Sequence, residues 1–300
     1  MPMSQLTPTR PGQKSSQRSR TWTPAHVFSV VLLLLVCLTM LFPLFWMITT
    51  ALKSNSAIYQ IPPRLWPEEF HWENFINGFK AINFGKLFLN SSILAVLNVV
   101  GSVFSSMVIA YGLSRIRFPG RKVWFYIFIG SMMLPAIVTT VPLFKLFLSI
   151  GWYQTWWPLI VPAFLGNPFF IFLAYQYYFS IPLSIDEAAR MDGANHWIIF
   201  TRIMVPLTRP VWIAMCVYAF QGSWNDYLNP LIYLPFSPEK WPLSVGMASF
   251  AGGFAGVAAT RWNEFMATNL LYMLPSLVVF FVAQNHFMAG MGALSSRSSK

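Results

Sequence analysis

Charged side chains are scarce in this chain of 300 residues. They make up 10% of it, against roughly 25% in an ordinary soluble domain, whereas 56% of the residues are hydrophobic and 17% are aromatic. So few charges cannot cover the surface of a water-soluble fold of this size. The composition therefore argues against a soluble domain and favours a protein that is largely surrounded by lipid.

The chain also lacks the short motifs that carry chemistry. It contains no G-x-x-x-x-G-K-[ST] phosphate loop, no H-E-x-x-H zinc motif and no G-x-S-x-G nucleophile turn. Its four histidines are scattered along the sequence, at His26, His71, His196 and His286. We therefore expect no catalytic residue and no metal site, and any use of ATP must depend on another protein.

Cysteine is nearly absent. Cys37 and Cys216 belong to no C-x-x-C motif and have no neighbouring pair of histidines. Both fall inside long apolar windows, where a free cysteine behaves as a small buried hydrophobe. The two cysteines therefore indicate no redox compartment.

Long apolar windows, by contrast, are abundant. A helix needs about 20 apolar residues to cross a hydrocarbon core about 30 Å thick, and windows of that length predict an all-α polytopic membrane protein with six transmembrane helices. The first window is too long for a signal peptide and is interpreted as a retained span. Prolines interrupt the third and fourth windows, which a span tolerates when neighbouring groups satisfy the freed carbonyls. The predicted spans cover residues 26–50, 87–113, 123–147, 156–180, 204–229 and 266–288.

Lysine and arginine predict the orientation of these spans. With the N-terminus inside, thirteen of the twenty Lys and Arg residues lie in cytoplasmic segments, so the positive-inside rule predicts that both termini are cytoplasmic. This asymmetry explains most of the net charge of +11, which therefore implies no nucleic acid partner. A disordered basic tail that could rest on anionic lipid is predicted for residues 1–23, a transmembrane domain for 24–292 and a short tail for 293–300.

The centres of the six windows contain no charged residue. Lys145 and Asp226 fall at predicted outer ends of spans, where a side chain can reach water. A proton-coupled secondary transporter usually needs a buried carboxylate. The sequence therefore argues against that class of transporter.

One charged segment, DEAARMDGANHWIIFTRIMVPLTRP at residues 186–210, separates two apolar windows. Ser184 and Glu187 have the S-x-x-E spacing of a capping box, which predicts that a helix begins at Ser184. Gly193 is typical of the left-handed residue that ends a helix. A second, more apolar helix is then predicted to re-enter the bilayer near Pro206, so residues 181–203 form a cytoplasmic loop.

The first helix of this loop is predicted to present a small-residue face. Ile185, Ala188 and Ala189 have i, i+3 and i+4 spacing, and small side chains allow another surface to approach the backbone closely. An amphipathic connector at the lipid interface is the alternative, but the helix is poor in large apolar groups and in Lys or Arg. Docking in a groove of another protein is the favoured interpretation.

The same segment resembles the EAA loop of ABC importer permeases. The motif positions are occupied by Glu187, Ala188, Ala189, Asp192, Gly193, Ala194, Phe200, Ile203, Pro206 and Pro210. More of the chain is similar to the maltose-permease-G-like partner of the carbohydrate-uptake branch, with AYGLSRIRFPGRK at 110–122, SWNDYLNPLIYL at 223–234 and WNEFMATNLLYMLPSLVVFFVAQNHFMAG at 262–290. The resemblance covers residues 25–292 and ends before the tail, GALSSRSSK, so no role of the family's C-terminus is carried over.

This resemblance implies a type I importer permease with a MetI-like fold in a bacterial or archaeal cytoplasmic membrane. Its implied partners are a second homologous permease, two copies of an ATPase that bind ATP and Mg, an external solute-binding protein and a small-molecule sugar. The chain itself would need no cofactor. The residues implied in contact with the ATPase are Glu187, Ala188, Ala189, Arg190, Asp192, Gly193 and Ala194.

Several polar and aromatic residues are candidates for the path of the sugar. Each could equally serve helix packing or an external gate, since polar groups commonly form hydrogen bonds between membrane helices. Two other functions stay open, namely the same architecture moving a polyamine or a phosphorylated polyol, and a membrane scaffold without transport. The path candidates are Asn98, Gln176, Gln221, Trp224, Asn225, Asp226 and Tyr227.

Overall fold

The computed structural model describes residues 24–252 and 261–295, with side-chain surroundings given as far as Gln284. The predicted tail at residues 1–23 and residues 296–300 of the predicted C-terminal tail lie outside the described residues. Within the described ranges the chain is helical and contains no β-strand. The first six α-helices are α1 (Pro24–Ala51), α2 (Asn55–Ile58), α3 (Glu73–Ala81), α4 (Phe84–Arg115), α5 (Arg121–Met132) and α6 (Ala136–Ser149).

The second half of the chain is built from shorter elements and one long final helix. A 3₁₀ turn covers Val161–Leu165, a π-helix covers Ile199–Met204 and another 3₁₀ turn covers Pro238–Lys240. The α-helices are α7 (Trp157–Ile160), α8 (Pro168–Ser180), α9 (Ser184–Met191), α10 (His196–Ile198), α11 (Val205–Leu207), α12 (Arg209–Trp224), α13 (Leu228–Tyr233), α14 (Leu243–Phe250) and α15 (Trp262–Ser295).

Four stretches of the described chain are long and apolar enough to cross a membrane. They are α1, α4, Trp157–Ser180 and Trp262–Gln284. Two bent pairs also qualify if each counts as one span, α5 with α6 at 102° and His196–Leu207 with α12 at 81°. The described chain therefore has four to six segments that can span a membrane.

The third predicted span, residues 123–147, is sharply broken rather than merely interrupted. Pro135 stands immediately before α6 with φ −60° and ψ 130°, which is extended backbone. Because proline has no N–H to donate, the helical hydrogen bonds cannot continue through this position. The chain therefore changes direction by 102° at Pro135, whereas Pro142 lies inside α6.

The fifth predicted span, residues 204–229, changes direction at Thr208. Pro210 is at the start of α12 and cannot donate a backbone hydrogen bond to the preceding turn. Two side chains supply donors at this bend, since the Thr208 hydroxyl donates to the Met204 carbonyl at 2.8 Å and the Trp212 indole N–H donates to the Val205 carbonyl at 3.1 Å. The continuous helix α12 consequently covers only the later part of that window.

The N-terminal unit, of which residues 24–46 are described, consists of most of α1. Its apolar side chains are exposed around the helix, including Leu33 at 64%, Leu38 at 64% and Met40 at 76%. A helix that is apolar on all sides is typical of a membrane span.

In the unit formed by the rest of the chain, α4 packs closely against its neighbours through small residues. A Cβ atom added at Gly101 would lie 2.7 Å from the ring of Phe164, and the Ser105 hydroxyl donates to the Ala163 carbonyl at 3.2 Å. Glycine and serine permit this close approach, as they do between membrane helices in general. The larger buried cluster combines side chains of α4, α8, α9, the π-helix and α12, so the loop that carries α9 is part of the core.

Candidate functional site

The helix α9 begins at Ser184 as predicted, but without the predicted capping box. Leu183 is the N-cap residue, with φ −65° and ψ −24°, and no side-chain hydrogen bond caps the helix. The Glu187 amide donates instead to the Leu183 carbonyl at 3.1 Å. Because Ser184 is already the first helical residue, its hydroxyl is not in the N-cap position that the motif requires. Glu187 is exposed on the surface of the helix.

The end of α9 is a Schellman motif built around Gly193. Gly193 has φ +81°, a left-handed conformation that glycine adopts without a steric cost. Its amide donates to the Arg190 carbonyl at 3.0 Å, and the Ala194 amide donates to the Ala189 carbonyl at 2.9 Å. These two bonds satisfy carbonyls that the helix end would otherwise leave without partners. The predicted role of Gly193 as the residue that ends the helix is confirmed.

The two alanines of α9 do not share a face. Ala189 is 8% exposed and belongs to the buried core, whereas Ala188 is exposed. Successive residues of a helix differ in direction by about 100°, so packing of Ala189 against its own chain turns Ala188 outward. The prediction of a common small-residue docking face is therefore wrong. Besides Ser184, the exposed residues of this helix are Glu187, Ala188, Arg190 and Met191, the last of these at 89%.

A buried ion pair holds the first turn of α9 to the end of α4. The Nε atom of Arg115 lies 3.6 Å from Oδ2 of Asp186, and these side chains are 2% and 5% exposed. The same guanidinium donates to the carbonyls of Tyr178 at 2.6 Å and Ile181 at 2.8 Å. Arg115 thereby joins three elements, namely α4, the end of α8 and α9.

A cluster of aromatic rings attaches the other end of the loop to α4. The Tyr111 hydroxyl and Nδ1 of His196 are 3.3 Å apart. The Tyr111 ring also lies 5.3 Å from the ring of Phe200 and 6.3 Å, edge to face, from that of Tyr178, measured between centroids. Since Tyr111 precedes Arg115 by about one helical turn, one end of α4 contacts the chain on both sides of α9.

Of the remaining motif residues, three are packed against the core, whereas Pro206 is exposed. Phe200 is 3% exposed in the π-helix, and Ala194 and Ile203 pack against the same core. Pro206 is in α11, and Pro210 starts α12 just after the bend. These five positions therefore shape and seat the loop.

Sequence reasoning missed the residues that anchor α9. No local pattern marks Arg115 and Asp186 as partners of each other. Tyr178 and His196 likewise contact residues from distant parts of the sequence, so their roles cannot be predicted from their own neighbours. One local feature was visible, because Asp186 lies in the first turn of a helix and Arg115 lies in the last turn of another, and the helix dipole favours a negative charge in the first position and a positive charge in the second.

A cavity of about 420 Å³ lies between α4, the Trp157–Leu165 stretch, α12 and α13. Of the seven predicted path residues, Asn98 and Asp226 line it in the described part of the chain. Tyr218 and Tyr233 add aromatic surface. The Asn98 amide donates to the carbonyls of Leu94 at 2.9 Å and of Leu159 at 3.1 Å, so it also holds the cavity wall.

The Asp226 carboxylate is fixed by Asn229. Its Oδ1 accepts the Asn229 amide at 3.2 Å, and its Oδ2 accepts the Asn229 side-chain amide at 3.0 Å. Asn229 also lines the cavity, which therefore contains a carboxylate with a defined orientation. Gln176 and Tyr227 are exposed.

The other path candidates form hydrogen bonds with α15. The Trp224 indole N–H donates to the Tyr272 carbonyl at 3.2 Å, and the Tyr272 hydroxyl is 2.9 Å from Oδ1 of Asn225. Oε1 of Gln221 accepts from Asn225 at 3.0 Å and from Ser276 at 3.3 Å. Trp224 is 1% exposed. These three residues therefore serve helix packing in this structure, which is the alternative role considered from the sequence.

The family model and the relatives that match this chain all describe permease components of transport systems. The family model described as binding-protein-dependent transport system inner membrane component matches residues 101–292, which is more than half of the chain. The diacetylchitobiose uptake system permease protein NgcG of Streptomyces coelicolor is 33% identical over 258 residues, covering 85% of this chain and 84% of that protein. The sn-glycerol-3-phosphate transport system permease protein UgpE of Pectobacterium atrosepticum is 31% identical, covering 88% of this chain and 95% of that protein.

A solved structure has the same fold. A chain of a bacterial ABC transporter involved in the import of the acidic polysaccharide alginate superimposes with a TM-score of 0.78, 26% identity and coverage of 90% of this chain and 98% of that one. The apolar helices, the match to the family model and these relatives agree. The chain is a multi-pass inner membrane protein and belongs to the family of binding-protein-dependent transport system inner membrane components, the permeases of ABC importers.

Proposed function

We propose that the chain is one of two permease subunits of an ATP-driven sugar importer in a bacterial cytoplasmic membrane. Relatives that are permeases for sugars support the substrate class. In this proposal each bent pair counts as one span, which makes six. The positive-inside bias supports cytoplasmic termini and a cytoplasmic position for α9.

The two-sided arrangement of α9 is the observation that carries the proposal. Its inner side is fixed to the spans by Asp186 and Ala189, both buried, while Met191 is 89% exposed on its outer side. A helix held in this way can transmit a displacement to the spans without bending first. We infer that it sits in a groove of an ATPase subunit, whose closure on ATP draws the two permeases' α9 helices together and changes the path from inward-open to outward-open.

The residues of α9 and its C-terminal turn then have separate roles. Glu187 and Arg190 offer polar contacts to the ATPase, and Ala188 allows close approach. Ala189 seats the helix on its own chain. The C-terminal turn fixes the direction in which the chain leaves. The proposed coupling unit is Glu187, Ala188, Ala189, Arg190, Asp192, Gly193 and Ala194.

The chain does not hydrolyse ATP in this proposal. ATP and Mg bind to the partner ATPase, two copies of which join the two permeases, and an external binding protein delivers the solute. Since the chain has no phosphate-binding loop, all the energy for transport enters through α9.

Purification and reconstitution test the assignment. The chain is co-expressed with an ATPase and a second permease of the importer family from the same organism, and an affinity tag is placed on this chain alone. Both partners are expected in the eluate, and proteoliposomes are expected to accumulate sugar only with ATP and the binding protein present. Recovery of the chain without an ATPase, or uptake that needs no ATP, would contradict the proposal.

The cavity of about 420 Å³ is the part of this subunit best suited to contact the solute. Sugar sites combine aromatic surface with a few oriented polar groups. Tyr218, Tyr233, Asn98 and Asp226 provide that combination here. We therefore propose Asn98 and Asp226 as the path residues of this chain.

A phosphorylated polyol is the second candidate solute. The 31% identity to a permease named for sn-glycerol-3-phosphate supports it. The two candidates differ at the external binding protein, because that subunit selects the solute before the permease meets it. Calorimetric titration of the partner binding protein with neutral oligosaccharides and with glycerol 3-phosphate distinguishes them.

A further inference from the structure

A basic cavity of the described chain lies where several candidate spans end. It has a volume of about 670 Å³ and opens between the last residues of α4, the first residue of α5, the last residues of α8 and the helix α9. Trp157–Ser180 has 24 residues, the length that crosses a hydrocarbon core, so its end at Ser180 lies near the depth at which lipid headgroups begin. The cavity therefore faces the headgroup layer of one leaflet.

The lining of this cavity carries an excess of positive charge. Four arginines, Arg115, Arg117, Arg121 and Arg190, stand against the two carboxylates of Asp186 and Glu187. Arg115 and Asp186 form the buried ion pair described above. The other three guanidinium groups and the Glu187 carboxylate also line the cavity, and none of these four groups forms an ion pair within the described ranges.

The loop geometry holds two of these arginines at the cavity wall. Arg117 is exposed just beyond the end of α4, and Arg121 is half-buried at the start of α5. The turn between them reverses at Gly120, which has φ +80°. Nη1 of Arg121 lies 3.5 Å from the Ile116 carbonyl, which accepts from it and keeps the side chain near the end of α4. A guanidinium offers five donors in a planar fork that matches phosphate oxygens.

Apolar side chains border the same opening. Phe179 and Leu183 line the cavity and are 69% and 53% exposed, and Trp124, about one turn beyond Arg121, is 54% exposed. A pocket that binds a soluble anion does not require exposed apolar side chains at its edge. Exposed aromatic and aliphatic groups beside arginines are typical of the membrane interface, where acyl chains and headgroups meet.

We propose that this cavity binds the phosphate headgroup of an anionic phospholipid, with Arg117 and Arg121 as its principal contacts. A soluble phosphate offers the same oxygens, but the apolar border favours the lipid as the source. With the proposed orientation the lipid belongs to the cytoplasmic leaflet. The site would then place a lipid beside α9, where Glu187 and Arg190 belong both to the cavity lining and to the proposed coupling unit.

Lipid retention in the complete transporter tests the proposal. The complex is purified in a mild detergent, incubated with equal amounts of phosphatidylglycerol and phosphatidylcholine, and analysed by native mass spectrometry. Basic residues near a charged membrane surface contribute roughly a fivefold change in affinity each. We expect Arg117→Gln and Arg121→Gln each to lower phosphatidylglycerol retention about fivefold, and the double variant about 25-fold, with phosphatidylcholine unchanged. Lys122→Gln is the matched control, because Lys122 is exposed one residue away and lies outside the lining of this cavity.

The outcomes distinguish a lipid headgroup from soluble phosphate, and they distinguish failure of the lipid site from failure of the proposed transport function. Competition by millimolar inorganic phosphate at constant ionic strength would indicate a soluble-anion site and overturn the lipid assignment. Equal retention of phosphatidylglycerol by Arg121→Gln and Lys122→Gln would overturn it as well. It would also be overturned if the ATPase, with no lipid added, protected Arg117 and Arg121 from modification by phenylglyoxal. Failure of the chain to co-purify with an ATPase contradicts the proposed function, and the same retention measurement on the purified chain alone then tests the lipid site.

Discussion

Trp224 and Tyr272 hold each other by two reciprocal hydrogen bonds. The Trp224 indole N–H donates to the Tyr272 carbonyl at 3.2 Å, and the Tyr272 hydroxyl shares its proton between the Trp224 carbonyl at 3.1 Å and Oδ1 of Asn225 at 2.9 Å. Their rings are stacked with centroids 6.0 Å apart. The end of α12 is therefore fixed to α15, and a residue that the sequence suggested for the solute path stabilises the packing of two helices.

Substitution of Trp224 by phenylalanine tests that role. The variant keeps an aromatic ring and removes the N–H donor, so we expect the free energy of unfolding in detergent to fall by about 1 kcal/mol while the KM for uptake stays the same. Trp72→Phe makes the same substitution at a position that is 62% exposed, and as the control it should change neither. A severalfold change in KM for Trp224→Phe would place the ring in the path instead.

Gly193 should be sensitive to any side chain because of its backbone conformation. No atom lies within 4 Å of a Cβ added there, yet φ is +81°. An alanine costs about 1 to 2 kcal/mol in the left-handed region, so Gly193→Ala should disturb the turn that ends α9 and lower the sugar transported per ATP hydrolysed. Gly112→Ala is the control, since its added Cβ is equally unhindered and the residue lies inside α4. An unchanged ratio in Gly193→Ala would show that the turn does not set coupling.

The pair of Arg115 and Asp186 predicts a non-additive result. Removing one partner leaves a buried charge uncompensated, which typically costs about 3 to 5 kcal/mol. Arg115→Gln and Asp186→Asn should each lower the unfolding free energy by an amount of that order, and the double variant should lose less than their sum. A double-mutant cycle on unfolding free energies measures the difference, and additivity would show that the two side chains do not interact.

Glu187 is predicted to matter for partner contact rather than for folding. It is exposed on α9, so Glu187→Lys should leave the amount of folded chain in the membrane unchanged while reducing co-purified ATPase and ATP-driven uptake. Glu69→Lys makes the same charge change at an exposed position outside the loop and serves as the control. Normal uptake and normal ATPase stimulation in Glu187→Lys would remove this residue from the coupling surface.

Asp226 provides a test of the cavity. Asp226→Asn keeps the shape of the side chain and an acceptor for the Asn229 amide, and it removes the charge. A hydrogen bond from the solute to a charged carboxylate is stronger than one to a neutral amide by about 1 kcal/mol. If the solute contacts this side chain, the loss of the charge should raise the KM for uptake about fivefold. Glu239→Gln, at an exposed position, should leave the KM unchanged. Identical KM values in both variants would exclude Asp226 from contact with the solute.

Local features of the sequence were sufficient to predict much of the molecule. The apolar windows correspond to α1, α4, the Trp157–Ser180 stretch and α15 because the hydrophobic content of about 20 consecutive residues needs no neighbour to be recognised. The bounds of α9 and the left-handed Gly193 were also predictable, since helix ends depend on the conformations of a few adjacent residues.

The tertiary structure decided the features that join distant residues. The buried face of α9 depends on Arg115, which donates to the Tyr178 carbonyl 63 residues away in the sequence. Trp224 and Tyr272 form their contact across 48 residues of the sequence. The bends at Pro135 and Thr208 likewise needed the surrounding structure, because a missing proline N–H allows several directions and the packing of other helices selects one. The sequence alone therefore determined which segments are helical and apolar, whereas contacts between segments determined which side chains are available to a partner.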